Sequence, residues 1–161
     1  MFLIVMGVSG SGKTTIGKLL SERLAIPFYD ADNFHPPANV AKMAAGIPLT
    51  DEDRADWLAA LAAVIRTGVE RGESGIIACS ALKETYRSVL RVVPEQVKFV
   101  FLKGGYEVIL SRMLARKDHY MKPGMLQSQF ATLEEPEGVL TVDIALPPNA
   151  IVDLVLEQLW E

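Results

Sequence analysis

Residues 7–14 read Gly-Val-Ser-Gly-Ser-Gly-Lys-Thr and match the phosphate-loop pattern G-x-x-x-x-G-K-[ST] at each fixed position. The glycines allow a tight backbone turn, so that successive N–H groups point toward a bound polyphosphate. The pattern predicts that the Lys13 ammonium reaches the β- and γ-phosphates and that the Thr14 hydroxyl is a Mg²⁺ ligand. The residues expected to contact the nucleotide phosphates are Gly7, Ser9, Gly10, Ser11, Gly12, Lys13, Thr14 and Thr15.

The sequence on either side of this loop suits a strand that leads into a helix. Residues 2–6 (Phe-Leu-Ile-Val-Met) form an apolar run typical of a buried strand. Residues 14–24 have helical spacing, and a helix that begins at the loop adds the positive end of its dipole to an anion site. The alternative, a Gly/Ser-rich turn that binds no ligand, is disfavoured because strand, loop and helix occur together.

Length and composition limit the classes of protein that fit. The 161 residues are enough for one domain with its own core (1–161) and too few for two ordinary ones. A net charge of −4 argues against a nucleic-acid partner or an anionic membrane surface. The single cysteine, Cys79, excludes an intrachain disulfide and is expected in the core. No apolar run has the length of a membrane span, and we expect a cytoplasmic protein.

Strand-like and helix-like segments alternate along the chain. This alternation predicts an α/β fold in which a parallel five-stranded sheet has helices on both faces and binds ligands at the carboxyl ends of its strands. The expected strands are 2–6, 27–29, 75–79, 97–102 and 139–142, and the expected helices are 13–25, 36–45, 51–71, 81–92, 105–117, 125–134 and 148–160.

Two carboxylates follow the second expected strand. Asp30 and Asp32 would share one side of an extended segment, where one could organise Mg²⁺ through water and the other could accept a proton from a substrate hydroxyl. An Asx-turn with a helix cap is the alternative. His35 is either a ligand contact or a polar residue before two prolines. The third expected strand ends in Ala-Cys-Ser without a carboxylate, which shifts the metal role to Thr14 and Asp30 and argues against the large ATPase classes.

Three cations are candidates for binding an anionic substrate. Lys83 and Arg87 are four residues apart on one expected helix face, with Ser80 at the helix start, and this patch suits a carboxylate-bearing substrate. The alternative is a capped surface helix shielded by Glu84. Arg54 follows the acidic helix start at residues 50–53, where Thr50 is the expected cap, and is expected to face the cleft.

A second pair of arginines precedes an irregular segment. Arg112 and Arg116 are four residues apart near a helix end, and residues 117–125 suit a mobile lid that excludes water and brings arginines to the phosphates. An arginine on the transition-state charge is worth about 10³–10⁵ in rate in related chemistry. The alternative is a helix end whose cations simply favour its dipole.

Together these stretches resemble the gluconate kinase family, whose fold is similar to those of the shikimate and nucleoside monophosphate kinases. The resemblance covers nearly the whole chain, and the most specific matches lie outside the phosphate loop. These matches are Asp-Ala-Asp-Asn-Phe-His-Pro at 30–36, Asp-Arg-Ala-Asp-Trp-Leu at 53–58, Cys-Ser-Ala-Leu-Lys at 79–83 and Gln-Phe-Ala-Thr-Leu-Glu-Glu-Pro at 129–136.

The resemblance implies a three-layer P-loop kinase fold and phosphorylation of D-gluconate at its 6-hydroxyl by ATP with Mg²⁺, in a cytoplasmic homodimer. It implies that Lys13 and Thr14 serve ATP and Mg²⁺ and that Asp32 is the base. Substrate-side residues would be Asp32, His35, Arg54, Ser80, Lys83 and Arg87, and nucleotide-side residues Arg112 and Arg116, with Arg116 stabilising charge during transfer. A kinase for another small hydroxy acid such as shikimate, and a non-catalytic ATP-dependent switch, stay open as alternatives.

Overall fold

The computed structural model describes residues 1–115 and 123–160. In this part of the chain, five parallel strands form one sheet in the order β2-β3-β1-β4-β5. The strands are β1 Phe2–Met6, β2 Phe28–Asp30, β3 Gly75–Ala78, β4 Val97–Lys103 and β5 Leu140–Asp143. The helices are α1 Lys13–Leu24, α2 Pro37–Ala44, α3 Asp51–Glu70, α4 Glu84–Leu90, α5 Tyr106–Ala115, α6 Pro123–Thr132 and α7 Pro148–Leu159. These elements confirm the predicted α/β fold.

Strand β1 lies at the centre of the sheet and divides the core into two layers. Alternate side chains of a strand point to opposite faces, so Leu3 and Val5 pack with α1 and α7, whereas Ile4 packs with α3 and α4. Both neighbours of β1 pair with it in parallel, which brings the carboxyl ends of β1, β3 and β4 to one edge. The phosphate loop begins at this edge. Cys79 is buried beside it, as expected, and burial raises the pKa of its thiol to about 12.

The fourth helix starts later than its sequence suggests. The expected helix spanned 81–92, but α4 begins at Glu84 because Ala81 adopts a left-handed conformation with φ 46° and Lys83 is the N-cap. Ser80 therefore does not lie at the helix start, which corrects that expectation. By contrast, α3 begins as expected: the Thr50 hydroxyl accepts the Asp53 N–H and the Asp53 carboxylate accepts the Thr50 N–H.

The segment predicted to be a lid lies mostly outside the described residues. Of positions 117–125, the structure describes only 123–125, which form the first turn of α6. Arg116 also lies outside the described residues. No helix in the described ranges combines the length and apolar character that crossing a membrane requires.

Candidate active site

The phosphate loop connects β1 to α1 and owes its shape to glycine. Gly7 has φ 152°, and a Cβ atom there would lie 2.7 Å from Ser11 Oγ and 2.9 Å from the Leu102 carbonyl oxygen. Gly12 has φ 101° in the left-handed region and directly precedes the first residue of α1. Larger residues at these positions would strain or push open the turn. The loop therefore presents its backbone N–H groups at the N-terminus of α1.

Lys13 is folded against the loop from which it extends. Its ammonium donates to the Val8 carbonyl oxygen at 3.0 Å. Burial lowers the pKa of Lys13, while the negative charge of Asp32 works in the opposite direction. Lys13 also lines a cavity of about 270 Å³ at the carboxyl edge of the sheet, which we call the first cavity. The ammonium is therefore positioned to exchange an internal carbonyl for a ligand oxygen.

The first cavity collects most of the residues that the sequence singled out. Among the predicted site residues, its walls contain Ser9, Gly10, Gly12, Lys13, Thr14, Thr15, Asp30, Asp32, His35, Arg54 and Ser80. They come from the phosphate loop and the first turn of α1, from the end of β2 and the segment after it, from the segment after β3, and from the start of α3. Parallel strands bring these distant segments together because their carboxyl ends share one edge.

The segment after β2 forms the Asx-turn and also brings Asp30 and Asp32 to the first cavity. The Asp30 carboxylate accepts the Asp32 N–H at 3.0 Å and caps a short 3₁₀ helix, Ala31–Phe34, so the Asx-turn is present. Both residues nevertheless line the first cavity. The pKa of Asp32 is raised, first because the cavity walls displace water and second because of the Asp30 charge. With 77% of its side-chain surface accessible, the Asp32 carboxyl remains reachable by a ligand.

His35 is held as a neutral ring with a defined tautomer. It stacks on Trp57 with ring centroids 4.2 Å apart, and its Nδ1 lies 3.2 Å from Asn39 Nδ2. Asn39 Nδ2 also donates to the Asp53 carbonyl oxygen at 2.7 Å, which fixes its amide orientation. Nδ1 is therefore the acceptor, and Nε2 carries the hydrogen, 3.8 Å from Asp32 Oδ1. Burial, aided by the Arg54 charge, lowers the pKa of His35 to about 4.

The pKa of His35 makes folding stability depend on pH. Between pH 6.5 and about 4 the unfolded chain binds a proton at His35 that the folded chain does not, so the free energy of unfolding falls as the pH falls. From pH 7 to pH 5 we expect the titration of His35 to lower the free energy of unfolding by about 2 kcal/mol. Urea unfolding of the wild type and of His35→Gln measures this difference. If the free energy of unfolding fell equally in both proteins, His35 would not be a buried neutral ring.

Arg54 links the first cavity to a polar network at its rim. Its Nη1 donates to the Leu49 carbonyl oxygen at 2.6 Å and to the Tyr86 hydroxyl at 3.1 Å. The Tyr86 hydroxyl in turn donates to Asp51, which also pairs with Lys83 at 3.2 Å. Among residues 1–115 and 123–160, both hydrogen bonds of Arg54 use Nη1, so its Nε and Nη2 are available to a ligand. Lys83 does not line the first cavity.

Arg87 lies in an environment different from the one expected. Its side chain is only 1% exposed, and it donates to the Ala81 and Glu134 carbonyl oxygens at 2.7 and 2.9 Å and to the Glu84 carboxylate at 3.0 Å. Because Lys83 precedes the helix, the two cations do not form the expected patch. Arg87 instead links the segment 80–83 to the chain after α6.

A second cavity of about 540 Å³ lies on the other side of the phosphate loop. Arg112, from α5, lines it and donates through Nη2 to the Ile144 carbonyl oxygen at 2.8 Å. Ser11 also lines it, and its buried hydroxyl has no hydrogen-bond partner within residues 1–115 and 123–160. Apolar walls come from Ile16, Ala115, Ile144, Leu146, Pro148 and Ile151. Gly10, Gly12 and Thr15 border both cavities, so one ligand could extend across the loop.

Several residues of the first cavity were missed by sequence reasoning. They are Met43, Pro48, Leu49, Trp57, Ala78, Leu82, Met125, Ser128, Gln129 and Thr132. Of these, Gln129 makes the most direct contact, because its Oε1 accepts the Ser9 N–H of the phosphate loop at 2.6 Å. The stretch beginning at residue 129 belonged to the family resemblance, but no local pattern indicated this contact.

The oxygen donors near the loop suit a magnesium ion bound together with phosphates. The described residues contain no group of three or more His, Cys, Asp or Glu side chains that could hold a metal by themselves. Mg²⁺ needs only one or two protein oxygens when substrate phosphates and water complete its shell. The Thr14 hydroxyl and the Asp30 carboxylate line the same cavity and fit this requirement.

Comparison with protein families places the chain among small-molecule kinases. A family model described as shikimate kinase matches residues 9–136. The match begins inside the phosphate loop and extends beyond α6. It therefore includes most of the elements that form the first cavity.

Three similar proteins match nearly the whole chain. A thermosensitive gluconokinase of Escherichia coli is 45% identical over 145 residues, covering 88% of this chain and 78% of that protein. The crystal structure of a gluconokinase from Sinorhizobium meliloti has a TM-score of 0.85 at 44% identity, covering 96% of this chain and 89% of the other. The crystal structure of a sugar kinase from Janibacter sp. has a TM-score of 0.93 at 47% identity, covering 98% and 93%.

Proposed function

This chain belongs to the gluconokinase family of shikimate kinase-like P-loop kinases, and we propose that it transfers the γ-phosphoryl group of ATP to the 6-hydroxyl of D-gluconate. The observation that supports this most directly is the placement of two cavities on either side of one phosphate loop, with Gly10, Gly12 and Thr15 bordering both. A nucleotide in the second cavity would extend its phosphates over the loop toward an acceptor in the first.

The reaction needs an aligned hydroxyl, a proton acceptor and positive charge around the transferred group. In the proposed mechanism, the substrate oxygen bonds to the γ-phosphorus while the bond from that phosphorus to the β,γ-bridging oxygen breaks. Asp32 takes the hydroxyl proton, and Lys13 stabilises the charge that develops on the phosphates. Thr14 and Asp30 would hold Mg²⁺, whose charge neutralises the phosphate oxygens when it is bound.

The substrate-side roles follow from the first cavity. Arg54 binds the gluconate carboxylate through its remaining guanidinium nitrogens, a geometry suited to a planar carboxylate. His35 donates from Nε2 to a substrate oxygen, since its Nδ1 is already an acceptor. Ser80 supplies a hydroxyl beside them. Lys83 and Arg87 act indirectly, through Asp51 and through the turn that carries Ser80.

The nucleotide-side roles follow from the second cavity. Its apolar walls suit a base, and Arg112 lies among them. Arg116 stays the predicted residue for charge stabilisation, and residues 117–125 the predicted lid. From the family resemblance we also propose that residues 1–161 form one catalytic domain and that the protein is a cytoplasmic homodimer. Light scattering coupled to gel filtration tests the dimer.

Removal of the Arg54 guanidinium is expected to weaken gluconate binding selectively. A charged hydrogen bond is worth about 1.5–3 kcal/mol, so Arg54→Leu should raise the KM for gluconate about 10- to 150-fold with a smaller change in the KM for ATP. Steady-state kinetics with each substrate varied in turn measures the two KM values. Arg54→Lys should recover part of the lost affinity for gluconate. Arg66→Leu, on an exposed face of the same helix, is the matched control. An unchanged KM for gluconate would show that Arg54 does not bind the substrate carboxylate.

The function itself is tested by ADP formation with Mg-ATP and a panel of gluconate, shikimate, glycerate, a neutral hexose and AMP. Turnover with gluconate alone is expected. Turnover with shikimate instead would support ATP-dependent phosphoryl transfer but contradict gluconate as the substrate. ATP binding without turnover of any member would favour a nucleotide-dependent switch.

A further inference from the structure

The Tyr86 hydroxyl joins α4 to the arginine that lines the first cavity. Tyr86 is buried, and its ring packs in the same core layer as Trp57. It does not line the first cavity itself, but its hydroxyl oxygen lies 3.1 Å from Nη1 of Arg54, which does. The two residues are 32 positions apart in the chain, so this contact fixes the Arg54 side chain against a second helix.

The direction of the hydrogen bonds at this hydroxyl follows from its neighbours. A phenol has one hydrogen to donate, whereas a guanidinium only donates and an ionised carboxylate only accepts. Hydrogen bonds from Tyr86 and Lys83 hold the pKa of Asp51 below its usual value, so the carboxylate is charged. The hydroxyl hydrogen therefore goes to Asp51, and the hydroxyl oxygen accepts from Arg54.

The contacts of Arg54 with the protein use one corner of its guanidinium. Nη1 donates to the Leu49 carbonyl oxygen at 2.6 Å and to the Tyr86 hydroxyl, and the guanidinium carbon lies 5.2 Å from the centroid of the Tyr86 ring. The other two nitrogens, Nε and Nη2, share one edge of the planar group. Two parallel N–H groups on such an edge match both oxygens of a carboxylate.

We propose that Tyr86 is a positioning residue for the acidic group of the substrate: its hydroxyl, directed by Asp51, holds Nη1 of Arg54 and thereby leaves the Nε–Nη2 edge to bind the carboxylate. The inference rests on the proposed function, because it assumes that Arg54 binds a substrate carboxylate. Tyr86 acts through Arg54 and does not touch the substrate. It therefore contributes to affinity for the acid and not to the transfer step.

A double-mutant cycle between Tyr86 and Arg54 tests this role. Tyr86→Phe removes the hydroxyl but keeps the buried ring. One net hydrogen bond is lost, so the KM for gluconate should rise about two- to tenfold, with kcat and the KM for ATP nearly unchanged. In the Arg54→Leu background the same substitution should not change the KM for gluconate, because the group that Tyr86 holds is absent. Tyr106→Phe, at the start of α5 and outside both cavities, is the matched control.

Steady-state kinetics with gluconate varied gives the KM values of the four proteins in the cycle, and urea unfolding verifies that each is folded under the assay conditions. A purely structural role for Tyr86 would raise the KM by the same factor in both backgrounds, and that result overturns the inference. The inference is also overturned if Tyr86→Phe leaves the KM unchanged while Arg54 is present, or if it lowers kcat as much as kcat/KM.

These outcomes are distinguishable from failure of the proposed function. Gluconate turnover with equal effects of Tyr86→Phe in both backgrounds overturns the inference alone. If the wild type phosphorylates shikimate or glycerate instead of gluconate, the proposed substrate is overturned, and the same cycle with that acid supports or overturns the inference. A wild type that phosphorylates no carboxylate of the panel overturns both.

Discussion

Replacement of Asp32 by asparagine is expected to lower kcat by about 10²–10⁴-fold, the usual contribution of a positioned general base. Asparagine keeps the shape of the side chain but cannot take the proton of the substrate hydroxyl. Because the Asp32 carboxyl is open to the first cavity and borders the phosphate loop, its loss should affect the transfer step directly. Affinity for a non-hydrolysable ATP analogue should change only a few-fold.

The measurement pairs initial rates at saturating gluconate and ATP with calorimetric binding of the analogue. Asp56→Asn, an exposed position on α3, controls for the loss of one negative charge. If Asp32→Asn retained wild-type kcat, another group would have to accept the proton, and Asp30 would be the next variant. If analogue binding failed as well, the substitution would have damaged the loop instead of the chemistry.

Replacement of Lys13 by methionine is expected to lower kcat by about 10²–10³-fold, comparable to the loss of one preorganised donor at a developing charge. Unlike Asp32→Asn, this variant should also weaken binding of the ATP analogue, because the ammonium contacts phosphates before and during transfer. Rates and calorimetric affinities measured on the same preparations separate the two variants. Lys18→Met, exposed on α1, is the matched control. Unaltered analogue affinity in Lys13→Met would show that the ammonium stays on the Val8 carbonyl oxygen in the complex.

The sequence predicted the features that depend on neighbouring residues. The phosphate loop requires glycine where the backbone has positive φ, as at Gly12, and a helix start directly after it. The cap at Thr50 is likewise a local pattern, because its hydroxyl accepts the N–H of Asp53 three positions further on. The alternation of apolar runs with amphipathic segments predicted the strands and helices closely.

The sequence failed where a local conformation broke the expected pattern. Helical spacing suggested that Lys83 and Arg87 share a face, but the left-handed Ala81 delays the helix until Glu84. Arg87 consequently turns inward and satisfies two carbonyl oxygens. A positive φ at alanine leaves no mark in a sequence, so this part of the candidate site could not be predicted.

The sequence alone therefore determined the phosphate loop, its flanking elements and the start of α3, because these depend on backbone geometry within a few residues, and its longer motifs identified the family. Only the tertiary structure decided the partners that meet across the sheet edge: Gln129 on the Ser9 N–H, Arg54 on the Tyr86 hydroxyl, and Trp57 on the His35 ring. The physical reason is that a side-chain contact depends on strand order and rotamers together. The order β2-β3-β1-β4-β5 brings these segments to one edge, and packing then selects which donor meets which acceptor.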